Sequence, residues 1–245
     1  MFDKYSDKIK LDKYNEHITN LENSFKSVNI KGQYEQFRLA PCFMLFNFID
    51  LLRGVAVLDN SHMMTSGSII IRSMFEILLD FLYCETDRKN LYERFGQYQY
   101  VNRVLLYNSL PVDLKEKINK EQYENITLKK YDLFKVKYNI SGDWELNNWS
   151  GLSIKKRVNL VSKIVPEINN LFLNIYKIDC DYTHPSAETI CEYAELTNQE
   201  INMSYQRKYN KDKFLLIKQV NSMVEIFYNK FSDSYANKSL EKIEF

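Results

Sequence analysis

The chain has 245 residues, 45% of them hydrophobic, with only 6 glycines and 4 prolines against 18 tyrosines and 15 phenylalanines. There is enough apolar matter for a sizeable, aromatic-rich core, and the scarcity of turn formers disfavours a β sandwich or barrel. A formal net charge of +1 excludes a chain-wide electrostatic nucleic-acid binder and leaves room only for a local basic face.

Residues 3–30 place Tyr14, Ile18, Leu21, Phe25 and Val28 at 4-3-4-3 spacing, which predicts an amphipathic helix ended by Gly32. A second helix is expected from about Tyr34 to Asn60. Pro41 inside it implies a kink or a fresh start, because proline lacks an amide donor. The next helix, through Thr65 to about Asp87, is apolar nearly all round yet carries Arg72, Glu76 and Asp80 at i, i+4 and i+8 on one face. Such a helix is expected to be buried, and the charged row then needs partners. On that reading, losing Glu76 should cost more stability than losing Glu116.

A helix over 88–110 closes at Pro111. A lysine-rich helix over 112–138 follows, with a thin stripe of Leu114, Ile118, Tyr123, Leu128, Tyr131 and Phe134. Residues 139–152 break the pattern with Gly142, Asn147, Asn148 and Gly151, and they hold both tryptophans, Trp144 and Trp149. A tryptophan in a polar loop either pins that loop to the body or lines a cleft. A short helix is expected from Ser153 to about Lys163, and another from Pro166 that ends at Asp179. Residues 186–206 read as helix at first, 207–213 as a basic connection, and about 212–235 as the last helix, before a polar tail. No stretch reads as a convincing strand. The expected fold is an all-α multi-helix bundle of seven to nine helices with a tryptophan-containing loop. It is expected as one domain over 1–245, with N-terminal helices at 1–60, a core at 61–206, and a C-terminal helix and tail at 207–245.

The four cysteines, Cys42, Cys84, Cys180 and Cys191, show no CxxC spacing and read as reduced small hydrophobes. The charged start lacks a signal-peptide core. The apolar runs are interrupted by Asp50 and Arg53, and by Arg72 and Glu76, so no membrane span is expected and the expected location is cytoplasmic. Glycine-rich phosphate loops, HExxH, GxSxG, EF-hand loops and paired ExxH motifs are all missing from the sequence.

Two candidates for chemistry remain. Arg72 can bind a phosphate or carboxylate while Glu76 holds its guanidinium, or the row can be a structural ion pair. Asp181-Tyr182-Thr183-His184-Pro185-Ser186 places a histidine at a proline corner before a helix start, where it can act as acid or base, or simply bond a backbone carbonyl. Of the other histidines, His17 is expected to be exposed and His62 to lie at a helix start. A metal site from Glu76, Asp80, Asp181 and His184 is a third option, but no cofactor or metal is assigned.

The segments IIIRSMFEILLDFLY, WSGLSIKKRV and DYTHPSAE resemble a bacterial domain-of-unknown-function family, number 5677, over roughly residues 45–195. That family is distantly similar to HEPN helical domains, many of which are metal-independent ribonucleases of toxin–antitoxin and phage-defence systems. Their arginine and histidine lie close together on one helix. Here Arg72 and His184 would have to meet from different segments. The resemblance implies a ribonuclease. Read from the residues, its catalytic set is His184 as acid or base oriented by Asp181, and Arg72 on the phosphate oriented by Glu76. Lysines 115, 117, 120, 129, 130, 135 and 137 with Arg207, Lys208, Lys211 and Lys213 either track RNA backbone or form solvated faces. The alternative is a non-enzymatic helical module that binds a partner protein or a small anionic ligand through the same Arg72 cleft. Expected partners are thus RNA or another protein, with a homodimer left open.

Overall fold

The computed structural model describes residues 4–29, 36–60, 64–177, 194–197, 200–203 and 212–238. Helix α1 (Lys4–Lys26) buries Tyr14, Leu21 and, just past its end, Val28, so its narrow stripe is the one the spacing predicts. A 3-10 turn (Gln36–Leu39) leads into α2 (Ala40–Asn60), where Pro41 takes the second position. Pro41 therefore marks a fresh start, in the first turn, where the missing donor costs nothing.

Helix α3 (Met64–Cys84) is the centre of the bundle. It lies against α2 along the most extensive helix pair, and it also meets α4 (Arg88–Gln97), α9 (Ile154–Val161) and α11 (Asp212–Tyr235). Ile71, Met74, Phe75, Leu78, Leu79 and Phe81 are fully buried there. Phe81 stacks on Phe227 of α11 at 4.5 Å, and Phe48 of α2 lies 4.7 Å from the same ring. Burying each such side chain stabilises by about 1.5–3 kcal/mol, which is why three helices meet here.

The expected helix over 88–110 is divided into α4 and α5 (Gln99–Ser109). At the break the Gln99 side-chain amide donates to the Gly96 carbonyl at 3.0 Å. The expected helix over 112–138 is likewise a series: α6 (Val112–Lys115), α7 (Lys120–Gln122), a π-helical turn (Tyr123–Leu128) and α8 (Lys129–Lys137). Asn119 restarts it by accepting from the Gln122 amide at 3.0 Å. After α9 come α10 (Glu167–Leu171) and a second π-helical turn (Phe172–Lys177) that packs on α3.

One expectation fails. Within 186–206, residues Ala194–Thr197 (β1) and Glu200–Met203 (β2) pair antiparallel, with Leu196 opposite Ile201 and Thr197 opposite Glu200. The alternation Ala-Glu-Leu-Thr and Glu-Ile-Asn-Met has period two, not 3.6, and only Asn198 and Gln199 separate the two runs. This ribbon leaves the molecule an all-α multi-helix bundle.

Among the described residues, α2 is the one helix long and apolar enough to cross a membrane by length and composition. Half of that window is buried in the bundle, against α1 and α3.

Candidate functional site

The charged row on α3 divides into an open half and a closed half. Arg72 Nε donates to Glu76 Oε1 at 3.3 Å, and the two side chains are 25% and 41% exposed. The expectation of a fully buried row is corrected here: Ile69, on the same side of α3, is itself exposed, so this part of the helix looks outward. The sequence misleads because even the central helix of a bundle keeps an outward strip wherever no neighbouring element covers it.

One turn further on, Asp80 is enclosed. Its Oδ1 accepts from Arg157 Nη1 of α9, and its Oδ2 accepts from the Trp149 indole N–H at 2.9 Å. Arg157 is a buried cation at 6% exposure, and Asp80 is its counter-ion. Sequence reasoning passed over Arg157, although its spacing carries the signal. With Ile154, Val158 and Val161, it lies on the apolar side of α9.

Trp149 pins its loop to the body. Its ring lies 5.8 Å from Tyr83 and edge-on to Phe95 at 5.2 Å, and its carbonyl accepts from Arg94 Nε at 2.8 Å. Gly151, at φ +68°, lets the chain turn directly beside Arg94, where an added Cβ would come within 2.7 Å of Nη2. Arg94 also lies over the Tyr138 ring at 4.9 Å, and Tyr98 donates its hydroxyl to the Leu146 carbonyl at 2.5 Å. The loop is thereby held on α4 and on Tyr98, which caps the end of α4. The Trp144 side chain lies outside the described residues.

A second polar cluster was also missed. Glu85 Oε1 accepts from the hydroxyls of Tyr92 at 2.8 Å and Tyr235 at 2.5 Å, and Oε2 accepts from Arg88 Nη2 at 2.7 Å and Ser234 Oγ at 2.8 Å. The carboxylate closes the junction of α3, α4 and the end of α11. Burial pushes both tyrosine hydroxyls far above the usual phenol range. Every lone-pair direction of Glu85 meets a donor, so the cluster fastens helices rather than presenting a reactive group.

His17, expected to be exposed, is half-buried, and its Nε2 lies 3.0 Å from Asn221 Oδ1 of α11. Cys42 and Cys84 are free and buried, with burial pushing the Cys42 thiol up to about 12. Asp181, His184, His62, Cys180 and Cys191 lie outside the described residues, so the structure neither joins Arg72 to His184 nor separates them. Among the described residues, no three His, Cys, Asp or Glu side chains are grouped to hold a metal ion.

The family model described as a family of unknown function, DUF5677, matches residues 38–202. No curated protein and no solved structure matches the chain. The matched span runs from the 3-10 turn before α2 to β2, so α3, the tryptophan loop and Arg157 fall inside it, while α1 and α11 fall outside.

Proposed function

The chain belongs to DUF5677, a family of unknown function, and we propose that it is a metal-independent, HEPN-like endoribonuclease acting through Arg72, Glu76, Asp181 and His184. The observation that carries this reading is the Arg72–Glu76 pair at 3.3 Å. It is a guanidinium held by a carboxylate and a quarter exposed, on the stretch of α3 that looks outward. A positioned, reachable guanidinium suits an anionic oxygen better than it serves stability. The chain's route adds support. The π-helical turn Phe172–Lys177 lies on α3, with Phe172 at 6.3 Å from Phe75, one helical turn from Arg72. Asp181 and His184 follow that turn by four and seven residues, within reach of the same face at about 3.3–3.6 Å per extended residue.

The chemistry needs these groups, RNA and water, which serves as the second proton partner. A ribose 2′-oxygen attacks the adjacent phosphorus, a 2′-O–P bond forms, and the P–O5′ bond breaks. The 2′-hydroxyl proton goes to a base and the leaving 5′-oxygen takes a proton from an acid. His184 fills one of these roles, oriented by Asp181, since imidazole titrates near ~6.5. Arg72 offsets the charge that develops on the phosphate oxygens, with Glu76 fixing its direction. The exposed Lys117, Lys120, Lys129 and Lys130 offer contacts to the RNA backbone. On the HEPN resemblance the enzyme would act in the cytoplasm, in phage defence or a toxin–antitoxin pair.

The test is cleavage of a labelled single-stranded RNA in EDTA. Arg72→Ala should slow cleavage by about 100-fold or more, the size of losing one oxyanion donor, and His184→Ala by a similar factor, both with unchanged circular dichroism. If the parent binds RNA or a small phosphate through Arg72 and cleaves nothing, the protein is the non-enzymatic binding module instead.

A further inference from the structure

An open groove of about 970 Å³, not lined by Arg72, runs between the start of α2 and helices α4, α5 and α8. Its walls include Leu39, Phe43, Phe95, Leu133 and Phe134. Phe43 is 57% exposed and Leu133 66%, so large apolar side chains face water along its length. Surfaces of this kind mark binding sites on soluble proteins.

The charge at the groove is uneven. Lys137 is matched by Glu93 at 2.5 Å. Lys130 is not: its Nζ bonds the Tyr100 hydroxyl at 2.8 Å and lies 4.8 Å from that ring. Arg103 sits over the same ring at 5.5 Å. Tyr100 thus gathers two cations from α5 and α8, and among the described residues neither forms an ion pair. The arrangement is an apolar trough with unmatched Lys130 on its wall and Arg103 just beside it, bonded to Gln99 Oε1 at 3.3 Å.

We propose that this groove binds an amphipathic helix of a partner protein, its apolar stripe in the trough and its acidic residues toward Lys130 and Arg103. The openness of the walls selects a helix over a small amphiphile. A lone acyl chain lying between Phe43 and Leu133 would stay half in water, whereas a helix brings its own polar face to the solvent side. The unmatched cations set the sign of the flanking charge. The proposal does not rest on the RNA reading, and of its residues only Lys130 is shared with the lysines offered there.

The test is selection from a displayed library of random peptides of about 16 residues, four to five helical turns, on the immobilised full chain. Enriched sequences should carry apolar residues at i, i+3 or i+4, and i+7, with Asp or Glu beside them. Leu133→Asp should weaken the selected peptides about tenfold or more, and Lys130→Glu combined with Arg103→Glu should do the same for acidic ones while favouring basic ones. All three side chains lie at the surface, and circular dichroism and melting temperature check that the variants keep the fold. The proposal is overturned by no enrichment, by enriched peptides that are basic or lack helical spacing, or by peptides that bind Leu133→Asp equally well. It is also overturned by dodecanoate saturating the groove when no helical peptide is enriched, or by a dimer in light scattering that Leu133→Asp dissociates, which would make the groove a self-interface.

Discussion

The Trp149 indole N–H donates to Asp80 Oδ2 at 2.9 Å, joining the tryptophan loop to the central helix across 69 residues of sequence. The other oxygen of the same carboxylate accepts from Arg157, so one side chain both anchors the loop and neutralises the buried cation of α9. Asp80→Ala would leave Arg157 in the interior without its carboxylate. Breaking a buried pair this way costs about 3–5 kcal/mol. Urea unfolding should show a loss of that size, and a loss below about 1 kcal/mol would mean that water readily reaches Arg157.

Glu76→Ala should behave quite differently. Its carboxylate is 41% exposed and pairs with a partly exposed guanidinium at 3.3 Å. Pairs in that setting contribute about 0–1 kcal/mol. Equilibrium unfolding should therefore place Glu76→Ala close to Glu116→Ala, and several-fold nearer the parent than Asp80→Ala. A destabilisation as large as that of Asp80→Ala would show that the whole row acts as one buried unit.

The contrast between these two carboxylates shows how far the sequence could be read. Period 3.6 placed α1, α2, α3 and α11 close to their observed bounds, because each buries a continuous apolar stripe. It also placed Arg72, Glu76 and Asp80 on one face. It did not tell the outward turn from the inward one, since that depends on where α9 and the tryptophan loop pack. Local side-chain bonds mark the breaks in the expected helices: Gln99 bonding the Gly96 carbonyl and Asn119 capping at the Gln122 amide are events that a hydrophobic pattern does not weigh. The Glu85 cluster joins residues up to 150 apart in sequence, and no spacing rule reaches that far. The β1–β2 pair was legible as a two-residue alternation, and a helical reading overrode it. The meeting of Arg72 with His184 was inferred from chemistry and resemblance, because periodicity relates residues only within one element.

The Glu85 cluster predicts an alkaline limit to stability. Burial, then the Glu85 carboxylate, holds the Tyr235 hydroxyl protonated far above its ordinary value of 10.0. Burial, then Tyr235, does the same for Tyr92. In the unfolded chain both ionise near that ordinary value, so above it the native state binds more protons than the unfolded state. Their contribution is therefore complete below pH 10.0 and is lost progressively as the pH rises beyond it. Stability measured from about pH 9 to 11.5 should fall more steeply for the parent than for a Tyr92→Phe/Tyr235→Phe variant. That variant should also start about 1.5–3 kcal/mol lower per hydroxyl lost from the charged acceptor. Parallel curves would mean that the two phenols ionise freely in the folded protein.

Gly151→Ala tests the seating of the tryptophan loop. The residue has φ +68°, and a Cβ would come within 2.7 Å of Arg94 Nη2, an arginine already engaged with the Trp149 carbonyl and the Tyr138 ring. The left-handed conformation alone costs a side chain about 1–2 kcal/mol. The variant should lose at least that much stability and show red-shifted tryptophan emission as Trp149 loosens from Tyr83 and Phe95. An unchanged spectrum and midpoint would mean that Arg94 moves aside freely.

The central claim is that Arg72 and His184 act on one phosphodiester. The most direct measurement is the end chemistry of a single-stranded RNA incubated with the full chain in EDTA, read by mass spectrometry. The account predicts fragments ending in 2′,3′-cyclic phosphate paired with 5′-hydroxyl ends, from the parent and not from Arg72→Ala or His184→Ala. Intact RNA with the parent chain, or fragments formed equally well by both variants, would contradict it.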